Sequence, residues 1–195
     1  MFSKIKIIAS LQTMPEIVSS FLSLIADYDR YTAEHSFKVQ RLAMELAAGL
    51  DLAAPIIQDI SDAALLHDIG KMKISNTILT KPGKLTHSEF EIIKRHPEYG
   101  YQILNGSRQL HHIAKIVLHH HEKFNGTGYP SGSSGEGIPL ISRILTLADV
   151  YEAITSDRCY RKAMSPQESL KVIREGSGTW FDPVLVDVFF RNKPP

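Results

Sequence analysis

The sequence lacks the cysteine pairs on which disulfides and many structural zinc sites depend. Cys159 is the only cysteine among the 195 residues, so an internal disulfide is excluded. No pair of thiolates stands at the spacing of a zinc finger either. A chain without disulfides fits a reducing compartment, and we therefore expect a cytoplasmic protein.

Long apolar runs and a large net charge are also missing. The apolar run near the N-terminus is too short for a secretory signal, and no stretch of about twenty apolar residues is present to cross a membrane. The formal net charge is +1, which gives no reason to expect a nucleic acid polymer or a membrane as a partner. Hydrophobic residues make up 43% of the chain, which is enough for a sizeable core.

Strand-like alternation of apolar and polar residues is absent, whereas helical periodicity recurs along the chain. Thr13, Thr86 and Ser165 each precede a glutamate by three positions, which is the pattern of a capping box at the start of a helix. Residues 122–139 form a long glycine-rich segment, which is typical of a functional or disordered loop. We predict an all-α, single-domain bundle of eight to ten helices, one of which ends at Gly70.

Histidine and aspartate residues interrupt the apolar helical patterns close to helix ends. His67 and Asp68 follow an apolar run directly and precede Gly70 and Lys71. Taken alone, this pair is better explained by a buried histidine beside a capping aspartate than by a metal site. Similar interruptions recur elsewhere in the chain, at His35, His96, His120, His121 and Asp149.

Together these residues predict a metal site inside the bundle. Buried imidazoles and carboxylates are costly unless they are paired or bind a cation. The number and kind of donors fit two divalent ions that share a bridging carboxylate. Because the donors are nitrogen and oxygen without thiolate, they favour iron or manganese over zinc or nickel. The remaining histidines are not expected to bind metal: His87, His111, His112 and His119.

Short motifs follow one another in a characteristic order. They are His67-Asp68-Ile69-Gly70-Lys71, Lys81-Pro82-Gly83-Lys84-Leu85-Thr86, His96-Pro97-x-x-Gly100, His120-His121-Glu122, Asn125-Gly126-Thr127-Gly128-Tyr129-Pro130, Ala148-Asp149-Val150 and Thr155-Ser156-Asp157-Arg158. This ordered set resembles the HD-GYP family of bacterial phosphodiesterases, a branch of the HD metallohydrolase superfamily. The resemblance implies an HD-type catalytic domain over residues 30–195, with a helical extension over residues 1–29.

The resemblance implies hydrolysis of a cyclic dinucleotide, typically cyclic di-GMP, by attack of a metal-bridging hydroxide on phosphorus. Asp68 would bridge two metal ions, while Lys71 and Arg158 would hold the phosphate, with Arg161 a weaker candidate. Tyr129 would lie in the loop beside the site. Without the resemblance, a solvated lysine and a surface salt bridge would explain Lys71 and Arg158. The implied ligands are His35, His67 and Asp149 for one ion, His96, His120 and His121 for the other, and Asp68 for both.

One position departs from the family pattern. Some members have a glutamate, four residues before the first histidine ligand, that helps to hold a third metal, whereas this chain has Tyr31. We therefore expect two metal ions, which favours the linear dinucleotide pGpG over GMP as the product.

Other readings of the sequence stay open. One alternative is a catalytically weak cyclic dinucleotide receptor, or a module that docks onto a partner such as a diguanylate cyclase or a sensor protein. Another is a different HD-type chemistry, such as that of a nucleotidase or a di-iron oxygenase. The sequence also leaves open whether the protein forms a homodimer.

Overall fold

The protein folds as a bundle of α-helices in the computed structural model, which describes residues 13–157 and 162–192. No β-strand occurs within these ranges, where pairing of this kind is limited to an isolated bridge between Ser177 and Phe181. The ten α-helices of the described residues are α1 Met14–Tyr28, α2 Arg30–Ala47, α3 Ala54–Leu66, α4 Asn76–Leu79, α5 His87–Ile93, α6 His96–Leu104, α7 His111–Leu118, α8 Leu140–Thr155, α9 Pro166–Glu175 and α10 Pro183–Asn192.

Local capping interactions explain where several helices begin. The three predicted capping boxes form, and in α5 the backbone N–H of Thr86 donates to Glu89 Oε2 over 2.7 Å. The side chain of Asp29 caps α2 by accepting hydrogen bonds from the backbone N–H groups of Tyr31 and Thr32. Side chains within four residues of one another make these contacts, so the sequence alone predicts them.

The core lies where α2, α3, α7 and α8 pack together. Each contributes an apolar face, and Val39, Ile60, Ile113 and Ile144 are fully buried. Helix α1 covers the same core with a face that buries four apolar side chains.

A domain boundary at residue 30 stays a prediction. None of the helices in the described part of the chain is long and apolar enough to cross a membrane.

A close backbone crossing joins the end of α3 to the start of α6. Gly70 lies in a 3-10 turn, Ile69–Lys73, and a Cβ atom built there would stand 1.9 Å from the carbonyl oxygen of His96 and 2.5 Å from the backbone nitrogen of Gly100. The prediction that Gly70 ends a helix was therefore wrong, since α3 already ends at Leu66. Glycine is needed here because the two backbones touch.

Candidate metal centre

One largely buried cluster contains the seven predicted ligand residues, which come from the interiors of α2 and α8, the segments just after α3 and α7, and the start of α6. The described residues include three overlapping groups in which the candidate ligand atoms, nitrogen or oxygen, lie within 4.8 Å of one another. Two of them correspond to the two ligand sets implied by the sequence resemblance, and the third joins them. The groups are His35, His67 and Asp149; His96, His120 and His121; and His67, Asp68 and His120. Such donors, without thiolate, suit hard or borderline divalent ions.

Asp68 stands between the two sets. Its Oδ2 atom lies 3.8 Å from His35 Nε2 and 3.4 Å from His67 Nε2. Its other oxygen, Oδ1, lies 3.2 Å from His96 Nε2. One carboxylate therefore presents an oxygen to each side, as a ligand shared by two ions must.

Hydrogen bonds on the outer edge of three imidazole rings leave their inner nitrogens available. In His67, His96 and His120 the Nδ1 atom lies 2.6–2.8 Å from the carbonyl oxygen three residues earlier in the chain. Because a carbonyl only accepts, Nδ1 carries the proton and Nε2 keeps a lone pair directed into the cluster. The Nε2 atom of His67 is buried and makes no hydrogen bond with any of the described residues, which fits a position that binds a cation.

His35 is oriented differently, by a carboxylate that our sequence analysis missed. Its Nδ1 atom lies 2.6 Å from Oε2 of Glu152, which is buried in α8. The other oxygen, Oε1, accepts a hydrogen bond of 2.6 Å from the Ser156 hydroxyl and lies 3.5 Å from Lys38 Nζ. An acidic residue within the apolar run of α8, one turn after Asp149, is the signal that could have identified Glu152.

The surroundings of the histidines in the cluster shift their pKa values in different directions. Burial lowers the pKa of His96 to about 3 and that of His121 to about 4, and it holds the pKa of His120 well below its usual value. These rings are thus neutral donors near neutral pH. For His35, burial acts in the same direction, but hydrogen bonds to Asp149 and Glu152 outweigh it and raise the pKa to about 9.

The metal-free protein is expected to be most stable near pH 6.5. Below this value the unfolded chain takes up protons at His96 and His121, while the folded chain does not until pH 3 to 4. Above it the folded chain keeps a proton on His35 up to about pH 9, whereas the unfolded chain has lost it. The free energy of unfolding should therefore fall in both directions, by about 1.4 kcal/mol per pH unit for each such proton. Urea unfolding from pH 4.5 to 9 would measure it.

A matched pair of variants identifies the groups that cause the acid limb of that profile. His96→Gln should reduce the slope of the free energy of unfolding against pH in this limb by the contribution of one proton. His112→Gln should leave it unchanged, because this half-exposed ring lies at the surface, where it pairs with Asp59. Stability that stays constant or rises from pH 6.5 to 4.5 would contradict the prediction.

Lys71 and Tyr129 flank the cluster. The Nζ atom of Lys71 lies 2.5 Å from Asp68 Oδ2, and the Lys71 side chain stays partly exposed. The Tyr129 ring stacks on the His121 ring, with centroids 4.9 Å apart and planes at 29°. Both side chains lie where a small molecule bound at the cluster would touch them. The other two predicted phosphate-binding residues, Arg158 and Arg161, lie outside the described residues.

The loop that carries Tyr129 is held against the cluster by buried contacts. The backbone N–H of Tyr129 donates to the carbonyl oxygen of His121 over 3.2 Å. Glu122 is buried and accepts a hydrogen bond of 2.7 Å from the backbone N–H of Ser131. A Cβ atom at Gly128 would stand 2.3 Å from the backbone nitrogen of Lys123, so this glycine permits the close approach. The glycine-rich segment is thus an ordered wall of the site.

Comparison with known proteins identifies a matching family and several relatives. The family model described as HD domain matches residues 19–185. The chain is 41% identical over 187 residues to a cyclic di-GMP phosphodiesterase of Pseudomonas aeruginosa, covering 95% of this chain and 45% of that protein. It is 39% identical over 167 residues to a 3'3'-cGAMP-specific phosphodiesterase of Vibrio cholerae, covering 86% of this chain and 36% of that protein. The chain spans less than half the length of these two relatives.

A solved structure supports the architecture. The HD domain of the L. monocytogenes phosphodiesterase PgpH, in complex with cyclic-di-AMP, matches with a TM-score of 0.61 and 18% identity, covering 89% of this chain and 92% of that one. At this identity the likeness concerns the fold alone. It agrees with the helical bundle described above, so the predicted all-α fold is confirmed.

Proposed function

This chain belongs to the HD domain family, and from that premise we propose that it is a metal-dependent phosphodiesterase that hydrolyses a cyclic dinucleotide. Cyclic di-GMP is the substrate we favour, with linear pGpG as the product. The observation that carries the proposal is the single carboxylate of Asp68 between two sets of inward-facing donors. A cluster of this composition suits a phosphate diester as substrate, because the negative charge of the diester needs compensation by cations.

We assign two divalent ions, iron or manganese, to the cluster. When bound, such ions supply an activated water molecule and stabilise the charge that develops on the phosphoryl oxygens. The donors fit this role, since their outer nitrogens are hydrogen-bonded and their inner atoms converge. Each ion would have three ligands of its own and share Asp68: His35, His67 and Asp149 on one side, and His96, His120 and His121 on the other.

The residues around the cluster would orient the substrate. Lys71 would place a positive charge beside a non-bridging phosphate oxygen, and Tyr129 would form a wall against the sugar–phosphate ring. Arg158 could grip two phosphate oxygens at once, and Arg161 remains a weaker candidate for the same role. Glu152 would keep His35 in position through its Nδ1 atom.

Metal analysis and product analysis together test this proposal. The protein is purified without oxygen, its iron, manganese, zinc and nickel contents are measured, and it is incubated with cyclic di-GMP, cyclic GMP-AMP and cyclic di-AMP. We expect about two ions per chain and the appearance of a linear dinucleotide in chromatography. Binding without any product would instead favour the receptor or docking reading. Cleavage of simple nucleotides alone would favour a nucleotidase.

Several expectations go along with this proposal. A catalytic domain over residues 30–195, a cytoplasmic location, a homodimer and docking to a diguanylate cyclase or sensor protein all stay predictions. Size-exclusion chromatography coupled to light scattering would establish the oligomeric state.

Glu152→Gln is expected to weaken the metal set around His35 and to spare the other set. A carboxylate behind a histidine ligand raises the basicity of the ring, and its loss typically costs ten- to a hundredfold in metal affinity. Calorimetric titration of the metal-free protein with Mn²⁺ should show one of two binding steps weakened by that factor. Glu45→Gln, at a half-exposed position on α2, is the matched control and should change neither step. Equal affinities in the Glu152 variant and the wild type would contradict the assigned role.

A further inference from the structure

A cleft opens beside the candidate metal centre on the side of Lys71. It has a volume of about 440 Å³, which lies within the range of small-molecule sites. Lys71 is common to both places, because its Nζ atom contacts Asp68 while its side chain lines the cleft. The cleft therefore adjoins the cluster at Lys71.

The walls of the cleft are largely apolar and include two exposed aromatic rings. The start of α2 contributes Tyr31, which is 43% exposed, and α5 contributes Phe90, which is 48% exposed. Aliphatic side chains complete these walls: Ile78, Leu79, Leu85 and Ile93. Exposed aromatic rings beside a charged centre are typical of a surface that receives a flat ligand.

Two other charged groups of the cleft, Lys81 and Asp29, already have partners within the protein. Little positive charge is therefore left in the cleft to bind a further anionic group. Lys81 is paired with Glu89, its Nζ atom lying 2.7 and 2.8 Å from the two carboxylate oxygens. Asp29 already accepts hydrogen bonds from backbone N–H groups at the start of α2. Lys71 is therefore the cation directed toward the candidate metal centre. A ligand that spans the centre and the cleft needs a negative charge only at its Lys71 end.

We propose that this cleft is a nucleobase subsite, in which one purine of the cyclic dinucleotide contacts the rings of Tyr31 and Phe90. The inference rests on the proposed function and adds a binding site to it. A nucleotide has the required shape and charge, with a phosphate for the Lys71 end and a flat base for the apolar walls. Contacts between bases and aromatic rings tolerate any base, so the subsite would contribute affinity more than discrimination between guanine and adenine.

Tyr31 gains a role under this proposal. It stands four residues before His35, where the resemblance to the HD-GYP family implies a metal-binding glutamate in some members. Here the residue lines the cleft instead, one turn of α2 before His35. The same position would then contribute to substrate binding in place of a third metal.

Binding measurements on the metal-loaded protein test the subsite. We expect wild-type protein to bind GMP at least about tenfold more tightly than ribose 5-phosphate, because only GMP carries a base. Phe90→Ala and Tyr31→Ala should each remove most of that difference and leave the affinity for ribose 5-phosphate unchanged. In hydrolysis of cyclic di-GMP the same variants should raise KM about tenfold, with kcat within twofold of wild type.

Two control variants make the result specific. Tyr31→Phe keeps the ring and should retain the wild-type KM. Phe37→Ala removes an aromatic side chain that is 50% exposed on the same helix but does not line the cleft, and should change nothing. Equal binding of GMP and ribose 5-phosphate by the wild type, or unchanged KM values in both alanine variants, would overturn the inference. Absence of cyclic dinucleotide hydrolysis in the wild type would overturn the proposed function, whereas the comparison of GMP with ribose 5-phosphate would still decide the subsite.

Discussion

Asp68→Ala is expected to abolish hydrolysis, with a loss of about a thousandfold or more, and to reduce the bound metal from two ions to at most one per chain. The reason is geometric: the two oxygens of this carboxylate face different ligand sets, so its removal takes a donor from both. Loss of the shared ligand also removes the negative charge that balances two adjacent cations. Initial rates with cyclic di-GMP and metal analysis by mass spectrometry measure the two effects.

The fold of this variant should survive, which separates a catalytic effect from unfolding. Circular dichroism and thermal unfolding of the metal-free variant and wild type should agree closely. Asp59→Ala is a matched control on α3, because this carboxylate is partly exposed and pairs with His112 at the surface. It should keep its activity and both metals. Hydrolysis by Asp68→Ala at the wild-type rate would end the proposed mechanism.

Gly70→Ala is expected to destabilise the protein by at least about 3 kcal/mol and to lower Tm by about 6–12 °C. The new Cβ would lie 1.9 Å from the carbonyl oxygen of His96, a contact that only a shift of backbone can relieve. Relief would push α6 away from the end of α3 and so separate His96 from Asp68. Metal binding and hydrolysis should therefore fall together with stability, as thermal unfolding and metal titration would record.

Gly137→Ala provides the comparison for this prediction. A Cβ atom there would meet no atom of the described part of the chain within 4 Å, and the residue lies in an exposed 3-10 turn. Its effect on the free energy of unfolding should stay within about 0.5 kcal/mol. Similar Tm values for the two glycine variants would mean that the crossing at Gly70 is looser than described.

The helices and many of their ends could be predicted from the sequence. Helical periodicity and the boxes at Thr86 and Ser165 depend on residues at most a few positions apart, and such contacts form wherever the segment is helical. The role of Gly70 was predicted wrongly for the complementary reason. Glycine near the end of a helical pattern is typical of a C-terminal cap, whereas here it permits contact with a helix that begins some twenty-five residues later.

The candidate metal centre could be identified from the sequence only as a set of residues. The family resemblance implied which histidines and aspartates belong together, and the structure places these residues in two sets around Asp68. Glu152 was missed, because its partner His35 is 117 positions away in the chain. Its place within the apolar run of α8 is a local signal of burial, but it does not indicate which ligand this carboxylate orients.

The amino-acid sequence by itself determined the helical class, the helix starts that side chains cap, and the residue types able to bind a divalent ion. Tertiary structure alone decided which oxygen of Asp68 faces which histidines, which ring nitrogen carries the proton, and that a cleft lined by Tyr31 and Phe90 adjoins the cluster. The physical reason is one of range. Capping and periodicity depend on neighbours along one helix, whereas the directions of side chains in a cluster depend on how distant helices pack and on what their burial excludes.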